Sequence, residues 1–369
     1  MRVLLWYWGR RGGGAQFALC LARGLMARPD VSLALSISRE GDLTPDFQAL
    51  GLPCDAVATY RGLPGFLLGF PRVPGLARRL ARQAERFGAD VVVSAMPHLW
   101  TPLVAPALKR AGIAYVPILH DGAPHPGDPA FAWHWGLRRD LAAARGAVVL
   151  SGSVEAAIRA QAPGLPLFRL PLGAHLAGEP PAAARPGHDF LFFGRIRAYK
   201  GLDLLRDALR ILHRSHPDAT LRVVGQGDIE AAAPGISALP GVTVEPRWVG
   251  DDDIPALVGS AHAVVLPYRE ASQSGVLPIA LACGVPVVAT PVGGLSEQLR
   301  DGETGLLASA TTPEALAEAM ARIMDPALQA RLAAGALRHG EALMDWEAQA
   351  ATLLAGIRPW LEPAPGVQA

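Results

Sequence analysis

Short apolar runs recur along the chain and do not alternate with polar residues. Such runs predict strands that are buried on both faces, as in a parallel sheet. The predicted strands are residues 2–8, 31–37, 90–94, 115–119, 147–150, 167–172, 189–193, 221–224, 242–246, 264–266 and 286–289. Helical spacing of apolar residues predicts helices that include residues 15–27, 76–87, 202–215, 254–261, 277–283, 295–300, 313–324, 327–339 and 347–357. Strands joined by helices predict an α/β fold with parallel sheets.

Two loops of small residues follow the last pair of predicted strands. The first is Ser272-Gln273-Ser274-Gly275, and the second is Val292-Gly293-Gly294. Ligands bind at the carboxyl ends of parallel strands, and small residues let backbone N–H groups approach an anion closely. The two loops therefore predict a binding site for an anionic group.

A glycine-rich turn over residues 9–14 joins the first predicted strand to the first predicted helix. Such a turn suits a phosphate or a sugar near a helix N-terminus, and a plain tight turn is the alternative. The dinucleotide pattern G-x-G-x-x-G is not matched, because its third glycine would fall at Phe17. The chain also lacks G-x-x-x-x-G-K-[ST]. Hydride transfer with a dinucleotide and ATP hydrolysis are both disfavoured.

The length of the chain predicts two domains. It has 369 residues, of which 50% are hydrophobic, and this is sufficient for two cores. Residues 177–188 are rich in proline and alanine and lack periodicity, which is typical of an interdomain linker. We therefore expect a first domain over residues 1–178 and a second over residues 189–345.

Charge and cysteine content indicate which partners and which cellular compartment to expect. The formal net charge is +1, so no general attraction to nucleic acid is expected. The three cysteines, Cys20, Cys54 and Cys283, are odd in number and lack metal-ligand spacing, which is typical of free thiols in a reducing cytoplasm. The apolar run 3–8 is too short for a signal peptide, and no run approaches the length of a transmembrane helix. These features predict a cytoplasmic protein.

Residues 264–307 resemble the donor-binding core of the retaining glycosyltransferases of family 4. The matching residues are Pro267-Tyr268, Ser272-Gln273-Ser274-Gly275-Val276, Ala282-Cys283-Gly284-Val285-Pro286-Val287-Val288-Ala289-Thr290, Gly293-Gly294, Glu297 and Asp301-Gly302-Glu303-Thr304-Gly305. The resemblance implies the GT-B fold, in which two facing Rossmann-like domains with parallel sheets flank an interdomain cleft. It further implies that the second domain binds the donor and the first the acceptor. Residues 346–358 would return to brace the first domain.

Residues 194–201 resemble the family's loop whose arginine and lysine hold the donor diphosphate. Arg195 and Lys200 take those positions, and a leaving diphosphate needs cations. The resemblance assigns them a catalytic role. The implied donor-binding residues are Gly13, Gly14, Gly225, Gln226, Glu270, Ser272, Gln273, Ser274, Gly275 and Val276. Most of the family carries two glutamates, eight positions apart, where this chain has Ala271 and Ile279. The adjacent Glu270 is the candidate substitute for the first of them.

A polar cluster follows the strand predicted at 115–119. His120 and Asp121 match the position of the family's cleft histidine, which implies a catalytic role for His120 and an acceptor-side role for Asp121 and His125. A structural histidine is the alternative for His120. A metal bound by these three residues is disfavoured, because the fold class needs none for its chemistry. Asp251-Asp252-Asp253 precedes a helical pattern, which favours an acidic first turn over a metal site.

Residues 60–74 predict an unusual apolar loop, which includes Phe66, Leu67, Leu68 and Phe70. The helix predicted next carries Arg78, Arg79, Arg82 and Arg86. Basic residues beside apolar ones predict peripheral contact with the inner face of a membrane or with a lipid-linked acceptor. A packed connection followed by a solvated basic helix is the alternative.

The sequence therefore predicts a retaining glycosyltransferase. It would move a sugar from a nucleotide-diphosphate-sugar, its co-substrate, to a glycan or lipid-linked acceptor in polysaccharide or glycoconjugate biosynthesis. We expect no metal, no further cofactor and no nucleic-acid partner. Two alternatives remain: a nucleotide-sugar epimerase of the same fold, and a non-catalytic module that binds sugar nucleotides.

Overall fold

The computed structural model describes residues 1–124, 130–178 and 188–362. The chain divides into two units. Unit 1 contains Met1–Gly173 and Asp345–Ala369, and unit 2 contains Ala174–Met344. Most of the predicted linker, residues 179–187, lies outside the described residues, as do His125 and the C-terminal residues 363–369.

Unit 1 is built on a parallel sheet of seven strands in the order β3-β2-β1-β4-β5-β6-β7. The strands are β1 Arg2–Tyr7, β2 Ser32–Ser38, β3 Cys54–Val57, β4 Val91–Ser94, β5 Tyr115–Leu119, β6 Ala147–Val149 and β7 Leu167–Arg169. The helices are α1 Gly13–Met26, α2 Thr44–Ala49, α3 Gly62–Leu68, α4 Val73–Phe87, α5 Thr101–Arg110, α6 Ala130–Ala143 and α7 Gly152–Gln161. Short 3-10 helices occupy Phe70–Arg72 and, near the end of the chain, Arg358–Trp360.

Unit 2 is built on a second parallel sheet, with six strands in the order β10-β9-β8-β11-β12-β13. The strands are β8 Asp189–Phe193, β9 Thr220–Val224, β10 Val242–Glu245, β11 Ala263–Leu266, β12 Val287–Ala289 and β13 Gly305–Leu307. The helices are α8 Leu202–Leu212, α9 Ile229–Ala232, α10 Ile254–Gly259, α11 Val276–Ala282, α12 Leu295–Gln298, α13 Pro313–Ile323 and α14 Pro326–Met344. Short 3-10 helices occupy Ala198–Lys200 and Asp251–Asp253. The final helix, α15 Trp346–Ile357, returns to unit 1.

The central strands of both sheets are buried on both faces, which explains their continuous apolar runs. Along β1, Leu5 joins the core between the sheet and helices α1 and α15, while Trp6 joins the opposite core with α4 and α5. Along β8, Phe192 faces α8 and α13, while Leu191 faces α11. Successive side chains of a strand point to opposite faces, so both must be apolar here. The predicted α/β class with parallel sheets is confirmed.

The prediction of a loop at residues 60–74 is wrong. The segment forms α3 and the 3-10 helix Phe70–Arg72, and α4 already begins at Val73. Pro64 lies in the first turn of α3 and Pro74 in that of α4, where a helix needs no backbone N–H from proline. The Phe66 ring stacks on Trp100 with 6.2 Å between centroids. Proline therefore marked helix starts here and not a loop.

Two strands, the helices α2, α5, α6 and α9, and several helix ends were not predicted. β3 is half-buried and contains a charged residue, Asp55, while β13 has only three residues. Helix α14 continues to Met344, five residues past the predicted end. Across the described part of the chain, no helix has both the length and the apolarity needed to cross a bilayer.

Candidate functional site

The strand order of unit 2 places two predicted site loops side by side. β8 and β11 are neighbours, but β8 is followed in the sheet by β9 on one side and β11 by β12 on the other. Connections that leave adjacent strands in opposite directions open a crevice at their carboxyl ends, where ligands bind in such sheets. The loop Gly194–Gly201 follows β8, and the loop from Pro267 to Gly275 follows β11. The two loops therefore share this edge.

Lys200 connects the two loops. Its Nζ donates a hydrogen bond to Tyr268 Oη at 3.0 Å and lies 4.9 Å from the centroid of that ring. Tyr268 is buried, whereas Lys200 is partly exposed, so a fixed ring holds a cation that solvent and ligand can reach. Arg195, on the same loop, is exposed. The ammonium group is thus oriented by the protein, and the guanidinium stands at the surface.

Ser274 extends this arrangement to the start of α11. Its Oγ lies 3.3 Å from Tyr268 Oη and accepts the Val276 N–H at 3.3 Å. The Ser274 backbone is held on both sides by the Gln298 amide, which accepts its N–H at 2.8 Å and donates to its C=O at 3.2 Å. Lys200, Tyr268 and Ser274 therefore form one connected cluster.

The hydrogen bonds at Ser274 and Val276 change the predicted anion cradle. The sequence predicts that the backbone amides of Ser274, Gly275 and Val276 all converge on a phosphate. Two of these amides already have acceptors within the protein, Gln298 Oε1 and Ser274 Oγ. Among the described residues, only Gly275 of the three keeps its N–H without an acceptor, and it is exposed. Of these three amides, that of Gly275 is therefore the one that an anion can reach without displacing a bond.

Glycine is required where these loops touch. Gly201 has φ +66°, and a Cβ there would overlap the carbonyl oxygen of Pro267. A Cβ at Gly225, in the loop after β9, would overlap the carbonyl oxygen of Gly194. The loops after three strands thus meet through bare backbone, which fixes their spacing.

The remaining predicted donor-binding residues occupy the same edge of unit 2. Gln226 follows β9 with an exposed side chain, and its carbonyl accepts the Ile196 N–H at 2.9 Å. Ser272 and Gln273 are partly buried, and the Gly294 N–H bonds the Ala271 carbonyl at 2.9 Å, which joins the loops after β11 and β12. Glu270 is exposed beside Ala271. No carboxylate takes either family position, because these are Ala271 and Ile279.

In unit 1 the connections leave the adjacent strands β1 and β4 in opposite directions, so this sheet has its own topological switch point there. Helix α1 begins at Gly13 after β1, and a Cβ at Gly14 would overlap the Sδ of Met96, which follows β4. The glycine-rich turn thus allows the start of α1 to approach the neighbouring loop. The predicted residues Gly13 and Gly14 lie at the carboxyl edge of this sheet.

His120 follows β5 at the same edge of unit 1. Its Nε2 lies 3.0 Å from the carbonyl oxygen of Ala95, and its ring meets the Phe17 ring edge-on with 5.0 Å between centroids. Burial lowers the pKa of His120, and the weaker effects of the Ala95 hydrogen bond and of Asp121 oppose it. A carbonyl only accepts, so the neutral ring carries its proton on Nε2. Asp121 is partly buried, and His125 lies outside the described residues.

The sequence pattern did not single out three residues that shape these sites. Tyr268 was recognised only as part of a motif, although its place two residues after the end of β11 was a signal for a ligand-edge residue. Gln298 gave no signal, because its partner Ser274 is 24 positions away. Phe17 entered only as a mismatch to the dinucleotide pattern, and it packs on His120.

Comparison with known proteins supports the same interpretation. The family model described as Glycosyltransferase Family 4 matches residues 11–176, and the one described as Glycosyl transferases group 1 matches residues 187–326. The chain belongs to glycosyltransferase family 4. The predicted resemblance is therefore confirmed, and the two models fall on units 1 and 2 respectively.

This family 4 chain resembles both curated relatives and solved structures. D-inositol 3-phosphate glycosyltransferase from Thermomonospora curvata is 33% identical over 231 residues, 57% of this chain and 53% of the relative. The first curated relatives are matched over about a third to a half of their length. Sucrose-phosphate synthase from Thermosynechococcus elongatus has a TM-score of 0.77 at 20% identity and covers 97% of this chain and 99% of its own. HepE from Anabaena, in complex with UDP-glucose, has a TM-score of 0.72 at 19% identity over 96% and 99% of the chains. These structures confirm the GT-B fold.

Proposed function

We propose that the protein is a retaining glycosyltransferase that uses a nucleotide-diphosphate-sugar donor. The observation that carries this proposal is the cluster of Lys200, Tyr268 and Ser274 at the switch point of unit 2. A leaving nucleoside diphosphate is an anion whose charge grows as the glycosidic bond breaks. A cation that is already oriented binds that charge more strongly in the transition state than in the ground state.

The roles of the other residues follow from this chemistry. Arg195 is exposed on the loop of Lys200 and binds the outer oxygens of the diphosphate, and Gly275 N–H supplies a further donor. The acceptor hydroxyl attacks on the face that the diphosphate leaves, which retains the anomeric configuration. His120 in unit 1 serves the transferring sugar or the acceptor hydroxyl. Because two protein cations face the diphosphate, the reaction requires no metal and proceeds in the presence of a chelator.

The neighbouring proteins indicate the substrate classes. HepE has been solved with UDP-glucose, which supports a nucleotide sugar as donor here. The acceptor that we propose is a glycan or a lipid-linked glycan, which the protein reaches in the cytoplasm by peripheral contact with the inner face of the membrane. The exposed Leu67, Leu68 and Phe70 and the exposed arginines of α4 support this contact.

The epimerase alternative is disfavoured, because the relatives named above are transferases or synthases. The non-catalytic module is motivated by the two missing glutamates. It differs from a transferase in one outcome: it binds the donor but never releases free nucleoside diphosphate in the presence of acceptors.

A donor screen followed by product analysis tests the proposal. Nucleotide sugars that bind the folded state should raise the melting temperature, and the best of them should release nucleoside diphosphate when a glycan acceptor is added. The chain has only two lysines, so Lys109→Ala is a matched control for Lys200→Ala. Stabilisation lost only in Lys200→Ala supports the site. Stabilisation without transfer over a broad acceptor panel would favour the alternative of a non-catalytic binding module.

A further inference from the structure

Exposed apolar side chains are concentrated on one part of unit 1. Nine large apolar side chains are exposed among the described residues, and six of them come from three short segments. The six, with their exposed fractions, are Leu67 58%, Leu68 80%, Phe70 41%, Leu99 69%, Phe131 86% and Trp135 45%. A monomeric soluble protein seldom clusters such residues without a binding role.

The three segments adjoin one another around the first turn of α5. On one side, Phe66 stacks on Trp100, the residue after the exposed Leu99. On the other side, Arg139 of α6 donates from Nε to the carbonyl oxygen of Pro102 at 3.1 Å. The segments therefore form one surface, which we call the α3–α6 surface and define by the six exposed residues above.

Basic residues predominate in the segments that carry this surface. Residues 56–84, 95–110 and 130–139 contain nine lysines and arginines and no aspartate or glutamate, and the nearest carboxylates in the sequence, Asp55, Glu85 and Asp140, directly adjoin these ranges. Arg78, Arg82 and Arg138 are exposed, while Arg79 pairs with Asp55. Helix α6 carries both basic charge and an exposed apolar ring, because its Arg139 guanidinium lies 5.2 Å from the centroid of the Trp135 ring. An apolar surface with a basic border is complementary to a bilayer that carries anionic headgroups.

We infer that the α3–α6 surface docks on an anionic lipid bilayer, with Phe131 and Trp135 of α6 as anchors. Aromatic rings suit the boundary between headgroups and acyl chains, and the flanking arginines add attraction to anionic lipid. The inference deepens the proposed membrane contact, because it adds α6 and Leu99 to the segment around α3. Docking requires neither donor nor transfer, so it stands or falls separately from the enzymatic proposal.

Vesicle co-sedimentation of the full chain tests this inference. Phosphatidylcholine vesicles with a third of phosphatidylglycerol should retain the protein, pure phosphatidylcholine should retain much less, and added salt should weaken retention. The variant Phe131→Ala/Trp135→Ala should lose about a hundredfold in vesicle affinity, since burying one large apolar side chain contributes about a factor of ten and the variant removes two. The variant Arg78→Gln/Arg82→Gln should reduce retention and its salt dependence.

Matched variants of unit 2 provide the control. Trp248 and Leu337 are exposed at 51% and 44%, so Trp248→Ala/Leu337→Ala removes comparable exposed apolar side chains elsewhere. This control should bind vesicles like the wild type, and all variants should keep the wild-type melting temperature and donor binding. Equal loss in the control variant, or no retention by anionic vesicles, would overturn the inference. So would self-association in solution that disappears in Phe131→Ala/Trp135→Ala while vesicle binding is unchanged, because a second copy would then be the occupant.

Discussion

At the scale of single residues, the hydrogen bond from Lys200 Nζ to Tyr268 Oη orients the cation of the proposed donor site. Lys200→Ala removes the charge, and the loss of one such preorganised donor costs on the order of 10²–10³ in kcat/KM. Arg195→Ala should also lower kcat/KM, by at least about a hundredfold, because it removes a cation that contacts the diphosphate. Steady-state kinetics with Lys109→Ala as control measures both effects. Near wild-type rates in both alanine variants would show that the donor site lies elsewhere.

The hydroxyl of Tyr268 permits a finer test. Tyr268→Phe keeps the buried ring but removes the acceptor of the Lys200 bond and the partner of Ser274 Oγ. We expect kcat to fall about tenfold, since a hydrogen bond to a charged group contributes about 1.5–3 kcal/mol and this one is partly exposed. The KM for the donor and the melting temperature should change little, because the ring still packs. A change confined to melting temperature would make Tyr268 a purely structural residue.

His120 has a neutral ring whose proton is directed at Ala95. Because burial lowers its pKa, the ring is neutral at neutral pH, and any dependence of turnover on His120 protonation should appear below the ordinary titration range of histidine. His120→Ala should lower turnover far more than it lowers donor affinity measured by calorimetry. Unchanged turnover in a folded His120→Ala protein would leave this histidine with the structural role of packing against Phe17.

At the scale of elements, a buried carboxyl joins α6 to β5. Asp140 accepts a hydrogen bond from Tyr115 Oη at 2.7 Å, and burial raises its pKa from 3.8 to about 7. The folded state therefore holds a proton that the unfolded chain releases above about pH 4. Stability is greatest below the unfolded pKa and falls as pH rises through the folded pKa. We expect a loss of a few kcal/mol in the free energy of unfolding between about pH 4 and 8.

Asp140→Asn isolates this effect. The amide oxygen can still accept the Tyr115 hydrogen bond, but the side chain no longer titrates. Urea unfolding from pH 5 to 8 should give a flatter profile for the variant than for the wild type. Parallel profiles would show that other groups dominate the pH dependence of stability.

At the scale of the whole molecule, the last helix completes the unit that the first residues begin. In α15, Leu353 and Leu354 are buried in the core with α1, and the Trp346 ring meets Phe17 edge-on with 5.3 Å between centroids. Leu353→Ala should lower the free energy of unfolding by about 2–5 kcal/mol, the cost of a core cavity. The exposed Thr352→Ala in the same helix should cost less than about 1 kcal/mol.

Measuring donor affinity shows whether this substitution in unit 1 affects unit 2. Leu353 belongs to unit 1, and the proposed diphosphate site belongs to unit 2. At a temperature where the Leu353→Ala variant is still folded, its affinity for nucleoside diphosphate should equal that of the wild type. A large loss of this affinity would show that the two units depend on each other more than their separate cores indicate.

The sequence by itself determined the class of fold and the family. Short unbroken apolar runs favour strands buried on both faces, and the small-residue loops that follow them lie at the edge where ligands bind. Short-range patterns carry this information, because a strand, a turn or a basic loop is encoded within a few neighbouring residues. Arg195 and Lys200 could be recognised for the same reason. Proline misled the prediction at residues 60–74, because its position within the first turn of a helix was not visible.

Only the tertiary structure decided which side chains meet. Tyr268 lies 68 positions from Lys200, and Gln298 lies 24 positions from Ser274, so no local pattern relates them. The amides of Ser274 and Val276 looked free in the sequence and are bonded in the fold. The strand order of each sheet brings these distant residues together, and likewise brings Leu99 beside the segments of α3 and α6. Chain connectivity alone permits many such orders, and packing both apolar faces of each sheet selects one.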